Sequence, residues 1–199
     1  MLRCYITDRR LLAPGVTLVS AVAQAIGNGA NWIQIREKDL SSRELYELTA
    51  RAVAMAAPTG VKILVNARFD IAIAAGAAGV HLPGNSPSPN HWRSITPPGF
   101  LVGISCHTIT ELRSAQEEGA DYVVFGPVFP PRSKSSDLAA RGLAGLESAA
   151  RAVKIPVLAL GGITDANAEE CAARGAAGIA AITLFQDGPA RDSKIPGLQ

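Results

Sequence analysis

The sequence predicts an α/β fold in which eight parallel strands alternate with helices and close into a barrel. One observation is a repeat at every second unit: GANWIQI at 29–35, GAAGVHL at 76–82, GADYVVF at 119–125 and GAAGIAAI at 175–182. In each, Gly ends a helix in the left-handed conformation, Ala packs, and a β-prone run follows at once. A second is the set of strand segments between the repeats: LRCYIT (2–7), VKILVN (61–66), FLVGIS (100–105) and IPVLAL (155–160), each followed by helix-forming residues. A third is that the strands are nearly continuous apolar runs, as expected of parallel strands covered on both faces. Eight βα units in 199 residues suggest a small TIM (β/α)8 barrel, below the usual ~250 residues. A doubly wound open sheet is the alternative, but the repeat shows no switch in pattern and so favours closure. The last helix is expected to be short or absent, because QDGPARDSKIPGLQ after Phe185 has two prolines and few apolar residues. The whole chain, 1–199, reads as one domain with an irregular tail over about 185–199.

Composition narrows the partner. At 48% hydrophobic and 18% charged residues the chain can bury one substantial core, and a net charge of +2 is near balance. No run of Lys or Arg suggests nucleic acid or an anionic membrane, so a small molecule is expected. The apolar runs stop well short of the ~20 residues of a membrane helix. MLRCYITDRR lacks the apolar core of a secretory signal, and a cytoplasmic protein is expected. Cys4, Cys106 and Cys171 are widely spaced and fit buried free thiols in a reducing compartment. The oligomeric state is open, and a homo-oligomer is compatible with all of this.

A TIM barrel carries its active site at the C-terminal strand ends, where each apolar run here turns polar. The second strand ends in Gln34, Arg36, Glu37 and Lys38, the third in Asn66 and Arg68, the fourth in His81, and the fifth in Ser105 and His107. The sixth opens into GPVFPPRSKSSD, the seventh into Gly161-Gly162 and the eighth into Thr183. Two residues without Cβ let backbone N–H groups approach a phosphate, and the helix starting near Asp165 adds its positive end; a tight turn alone would also use them. Gln34, Arg36 and Lys38 share one strand face and Ile33, Ile35 and Glu37 the other. That face offers an amide and two cations to an anion, against a solvated turn with an internal ion pair. Gln34 lies between isoleucines, which argues for a ligand-facing position.

His107, just above the barrel, is placed for proton transfer near neutrality. His81 reads as an orienting or core histidine, and His91 as an ordinary surface-helix residue. Ser133 and Lys134, in a long loop, are anion contacts or members of a merely soluble loop.

These residues together resemble the thiamine phosphate synthase/TenI superfamily. The motifs, in order along almost the whole chain, are YITD, QIREKD, VNARFDIA, GVHLP, GISCHT, GADYVVFGPVFPPRSK, GLE, IPVLALGGIT and GAAGIAAI. The resemblance implies a TIM barrel and a role in making the thiazole half of thiamin or joining it to the pyrimidine half. Synthases of the family join hydroxymethylpyrimidine diphosphate to a thiazole phosphate with Mg²⁺. TenI-type proteins aromatise a thiazole carboxylate phosphate by proton transfer, with a histidine and no metal.

Two departures favour the second activity. The synthase pattern Asn-Asp-Arg is Asn66-Ala67-Arg68 here, and His-Leu-Gly-Gln-x-Asp is His81-Leu82-Pro83-Gly84-Asn85-Ser86. The two replaced aspartates are the synthase's Mg²⁺ ligands, and Mg²⁺ is bound through carboxylates plus substrate phosphates, so losing both should cripple binding of a metal diphosphate. The resemblance thus implies a metal-independent thiazole tautomerase. His107 is then the acid/base group, and Gly161, Gly162, Ile182 and Thr183 hold the phosphate. Gln34, Lys38, Asn66 and Ser105 bind substrate, and Lys134, Ser133 or Arg36 meets its carboxylate. The alternatives are a thiamine phosphate synthase with an altered metal site, in which Asp70 or Asp39 would have to substitute, and a non-catalytic ligand-binding or regulatory barrel.

Overall fold

A computed structural model describes residues 1–130 and 139–186. The tail reading and the loop residues Ser133 and Lys134 lie largely or wholly outside them. The four repeat glycines end their helices as expected: Gly29, Gly76, Gly119 and Gly175 have φ of +81°, +69°, +85° and +89°, in the left-handed region where a side chain is costly. A strand starts three residues after each. The strands are β1 (Leu2–Ile6), β2 (Trp32–Ile35), β3 (Lys62–Asn66), β4 (Gly79–Leu82), β5 (Leu101–Cys106), β6 (Tyr122–Phe125), β7 (Val157–Leu160) and β8 (Gly178–Ala181). Each pairs in parallel with the next, and β8 pairs with β1, closing the barrel.

Helices α1 (Leu18–Gly27), α2 (Ser42–Ala56), α3 (Phe69–Ala74), α4 (Ile109–Glu117), α5 (Gly142–Ala152), α6 (Asp165–Ala173) and α7 (Thr183–Gln186) follow β1, β2, β3, β5, β6, β7 and β8. The β4–β5 connection departs from the expected helix and holds only a 3₁₀ segment, Pro89–Ile95. Pro87, Pro89, Pro97 and Pro98 crowd this stretch, and proline withholds the N–H an α-helix needs. His91 is therefore exposed on a 3₁₀ turn rather than on an α-helix. The α7 helix has four residues, short as expected.

Two apolar clusters result. Cys4, Ile6, Trp32, Leu64, Tyr122, Val124, Leu158 and Ala180 alternate along their strands and fill the lumen. A larger cluster, including Ile33, Ile35, Val65, Val80 and Leu146, packs strands against helices. All three cysteines are free and buried. No helix among the described residues is long and apolar enough to cross a membrane.

Candidate functional site

The lumen's period-2 alternation continues to the C-terminal mouth, where the next inward residues line a cavity of about 630 Å³. Gln34, Asn66, His81, Ser105, Leu160 and Ile182 supply its wall from β2, β3, β4, β5, β7 and the end of β8, and Arg36, Lys38 and His107 extend it above the strands. Seven of the residues expected in a site from sequence, Gln34, Arg36, Lys38, Asn66, Ser105, His107 and Ile182, are thus brought together. Sequence reasoning did not single out Glu111, Asn85 or Val124, which also line it.

The split of the QIREKD segment follows strand geometry. Gln34 is 2% exposed and its Nε2 donates to Asn66 Oδ1 at 3.1 Å, which fixes the direction of both amides. Glu37 turns the other way and is buried. Its carboxylate accepts from Thr7 Oγ1 at 2.7 Å and Arg9 Nη1 at 2.9 Å. Thr7 Oγ1 in turn accepts from the Arg36 backbone N–H at 2.9 Å. The ion pair expected within this segment in the solvated-turn alternative is absent, since Glu37 pairs with Arg9. Among the described residues Arg36 and Lys38 have no ion-pair partner and Glu111 is the one carboxylate lining the cavity. Glu111 is engaged in the α4 capping box, where it accepts from the His107 and Thr108 N–H groups. The mouth therefore favours an anion.

His107 Nδ1 lies 2.6 Å from the Gly126 carbonyl oxygen. A carbonyl only accepts, so Nδ1 carries the proton and neutral His107 has its lone pair on Nε2. His81 is 3% exposed, with Nδ1 3.1 Å from Tyr122 Oη and Nε2 2.9 Å from Ser105 Oγ. Burial, helped by the Arg36 charge, pushes its pKa down to about 4 from 6.5. It is a neutral, doubly anchored and buried histidine.

This depressed pKa has a stability consequence. Between pH 6.5 and about 4 the unfolded chain binds a proton at His81 that the folded chain refuses, so stability is full above pH 6.5 and falls as pH drops. The loss by pH 4 is roughly 3 kcal/mol. His81→Gln is expected to lose less stability than the parent between pH 7 and pH 4.5 in urea unfolding; equal losses would contradict the assignment.

Gly161 and Gly162 have φ of +97° and +60°. A Cβ on Gly161 would lie 2.6 Å from Pro127 Cβ, and one on Gly162 2.6 Å from the Pro130 carbonyl oxygen. Turn conformation and the close approach of the β6–α5 loop both require glycine here, so the tight-turn reading is sufficient by itself. Of the four positions expected from sequence to hold a phosphate, Ile182 lines the cavity, whereas Gly161, Gly162 and Thr183 are not among its lining residues and adjoin Leu160 and Ile182 in the chain. Asn167 Nδ2 donates to the Gly162 carbonyl at 3.0 Å, tying the turn to α6.

Beside the main cavity, Lys38, Asn66, Ala67 and Arg68 line a side pocket of about 330 Å³. Ala67 has φ of +61°, which costs a non-glycine residue about 1–2 kcal/mol. Ala67→Gly is expected to stabilise the protein by up to about 1 kcal/mol after glycine's unfolded-state entropy. The readout is a melting temperature higher by about 2–4 °C; a lower one would contradict the strain.

The donor set does not suit Mg²⁺. Ala67 offers no ligand atom and Ser86 only a hydroxyl, whereas Mg²⁺ is held through carboxylates. The acids that would have to substitute are committed elsewhere. Asp70 accepts from Arg68 Nε at 2.8 Å, and Asp39 is held by both Arg9 terminal nitrogens at 2.7 and 2.9 Å. Among the described residues no group of three or more His, Cys, Asp or Glu could hold a metal ion.

Comparison with known proteins fits this geometry to one family. Residues 4–185 match the family model described as thiamine monophosphate synthase. A putative thiamine-phosphate synthase of Geobacter sulfurreducens is 41% identical over 90% of this chain and 84% of its own length. A thiamine-phosphate synthase of Methanoculleus marisnigri is 38% identical over 90% of this chain and 85% of its own. The solved thiamine phosphate pyrophosphorylase from Pyrococcus furiosus superposes with a TM-score of 0.84 at 34% identity, over 95% of this chain and 89% of that one. A sequence match over nearly the whole described barrel, with the same closed fold, identifies the chain as an enzyme of thiamine biosynthesis that belongs to the thiamine monophosphate synthase family.

Proposed function

We propose that the chain binds a thiazole phosphate and catalyses its aromatisation by metal-independent proton transfer, as a TenI-like thiazole carboxylate phosphate tautomerase. The observation that carries this reading is the composition of the mouth: His107 with an available Nε2 lone pair, two cations without ion-pair partners among the described residues, and no carboxylate at positions 67 or 86. The phosphate is assigned to the Gly161-Gly162 turn and the Ile182-Thr183 segment, where backbone N–H groups can meet it. Gln34, Asn66 and Ser105 orient the ring, and Arg36 and Lys38 supply positive charge for its carboxylate. Ser133 and Lys134 belong to this assignment from sequence alone.

The chemistry asked of the protein is small. His107 Nε2 takes the proton from the ring carbon, and the resulting imidazolium is stabilised by the Nδ1–H donated to the Gly126 carbonyl. The same Nε2–H then returns a proton to the exocyclic carbon as the double bond moves into the ring. No metal enters any step.

A second reading is a thiamine phosphate synthase, joining hydroxymethylpyrimidine diphosphate to a thiazole phosphate. What favours it is the naming of the relatives, which fits the synthase more closely than the tautomerase. Paired assays separate the two. The tautomerase reading expects aromatisation of the non-aromatic thiazole tautomer at an unchanged rate in EDTA, and no diphosphate release from the synthase substrates with Mg²⁺. Mg²⁺-dependent diphosphate release without aromatisation establishes the synthase instead. Ligand-dependent thermal stabilisation with neither turnover would mark a non-catalytic binding barrel.

A further inference from the structure

Side chains of β4, β5 and β6 build a buried polar chain that ends in the cavity. Asn66 pairs with His81, His81 with Gly103, and Gly103 with Tyr122 in the strand register. Because Gly103 has no side chain, the Tyr122 ring lies across it; a Cβ there would stand 2.0 Å from Tyr122 Cζ. Tyr122 is 1% exposed, packs edge-on against Trp32 at 4.8 Å between ring centroids, and reaches His81 Nδ1 at 3.1 Å. On the far side of the imidazole, Nε2 lies 2.9 Å from Ser105 Oγ, and Ser105 is half-buried on the cavity wall.

The proton positions follow from counting donors. Burial holds Tyr122 well above its ordinary pKa and His81 well below its own, so both are neutral at physiological pH. Among the described residues His81 Nδ1 is the one hydrogen-bond partner of Tyr122 Oη. If the phenol accepted from Nδ1–H, its own buried O–H would have no acceptor, and a buried unmade donor is costly. Tyr122 therefore donates to Nδ1. Neutral His81 then carries its proton on Nε2 and donates to Ser105 Oγ. With that lone pair taken and no other protein partner among the described residues, the Ser105 hydroxyl hydrogen is left for the cavity.

We infer that Tyr122 and His81 are positioning residues that occupy one lone pair of Ser105 Oγ and leave its hydroxyl hydrogen without a protein acceptor, so that the site favours ligands placing an acceptor atom, such as a carboxylate oxygen or an unprotonated ring nitrogen, over Ser105. A ligand presenting only an N–H or O–H at that point can use the remaining Ser105 lone pair but leaves the hydroxyl hydrogen without an acceptor. The proton direction rests on the protein alone, whereas the ligand preference also rests on the thiazole carboxylate reading above.

Two measurements test it. Multiple-bond ¹H–¹⁵N spectra of the full chain at neutral pH, with the three histidines assigned by substitution, are expected to show His81 Nδ1 as the unprotonated, pyridine-type nitrogen and Nε2 as the protonated one. The reverse assignment overturns the inference, and needs no ligand to do so. Affinity for the carboxylated thiazole phosphate is expected to fall about 10- to 100-fold in Ser105→Ala, as for a lost hydrogen bond to a charged group. It should fall several-fold in Tyr122→Phe, which keeps the ring in the Gly103 notch. The double variant should bind no worse than Ser105→Ala alone, because Tyr122 acts through Ser105. Additive losses, which a merely structural Tyr122 would give, overturn the coupling. A parent protein that does not bind this probe refutes the carboxylate preference, and the spectra still decide the proton direction.

Discussion

Replacing His107 with alanine is expected to slow aromatisation of the thiazole phosphate by about 10²–10⁴-fold, the usual worth of a positioned acid/base group. The ring is not free to choose its tautomer: the 2.6 Å bond from Nδ1 to the Gly126 carbonyl oxygen leaves only Nε2 for the substrate. His107→Gln keeps polarity but cannot cycle a proton, so it should be nearly as slow as the alanine variant. Substrate affinity should change little in either, since the phosphate and the cations are assigned elsewhere in the mouth. The split between kcat and KM is therefore diagnostic, and a His107→Ala protein that aromatises at the parent rate refutes the catalytic assignment.

Gly103→Ala should give the largest loss of stability of any single methyl added to the lumen floor. The new Cβ would overlap Tyr122 at Cζ, Cε1 and Cε2, within 2.0 to 2.5 Å, and Tyr122 is wedged by Trp32 and His81. Overpacking of this kind costs about 1–3 kcal/mol or more, which for a chain of this size lowers the melting temperature by about 2–4 °C per kcal/mol. Combining it with Tyr122→Leu should recover part of the loss, because the two residues contend for one volume. Equal losses in both backgrounds would show that Tyr122 does not occupy the notch.

The contrast between these two residues shows what the sequence can carry. His107 was legible because a strand run turns polar there, and period 2 along QIREKD by itself separates Arg36 and Lys38 from Glu37. The repeat glycines announced the helix ends and, through them, the strand order. Tyr122 was not legible as a site residue, because its meaning depends on the register of three strands and on an empty position 19 residues away. The engagement of Glu37 by Thr7 and Arg9 is similarly long-range. The missing helix between β4 and β5 had a local signal in its prolines, which the regular βα alternation outweighed. Gly161 and Gly162 show an overlap: the conformation they adopt and the loop they touch already demand glycine, so sequence alone could not separate turn from phosphate cradle. The family was legible from ordered motifs. The choice of reaction turns on Ala67 and Ser86, against relatives whose names point to the synthase.

A crystal structure of the protein with the carboxylated thiazole phosphate, grown with excess Mg²⁺, tests the central claim most directly. The account predicts the phosphate on the N–H groups of Gly161, Gly162 and Thr183, the reacting ring carbon about 3–3.5 Å from His107 Nε2, and no metal between Ala67 and Ser86. A ligand whose ring lies away from His107, or a Mg²⁺ ion bound between Ala67 and Ser86, would contradict it.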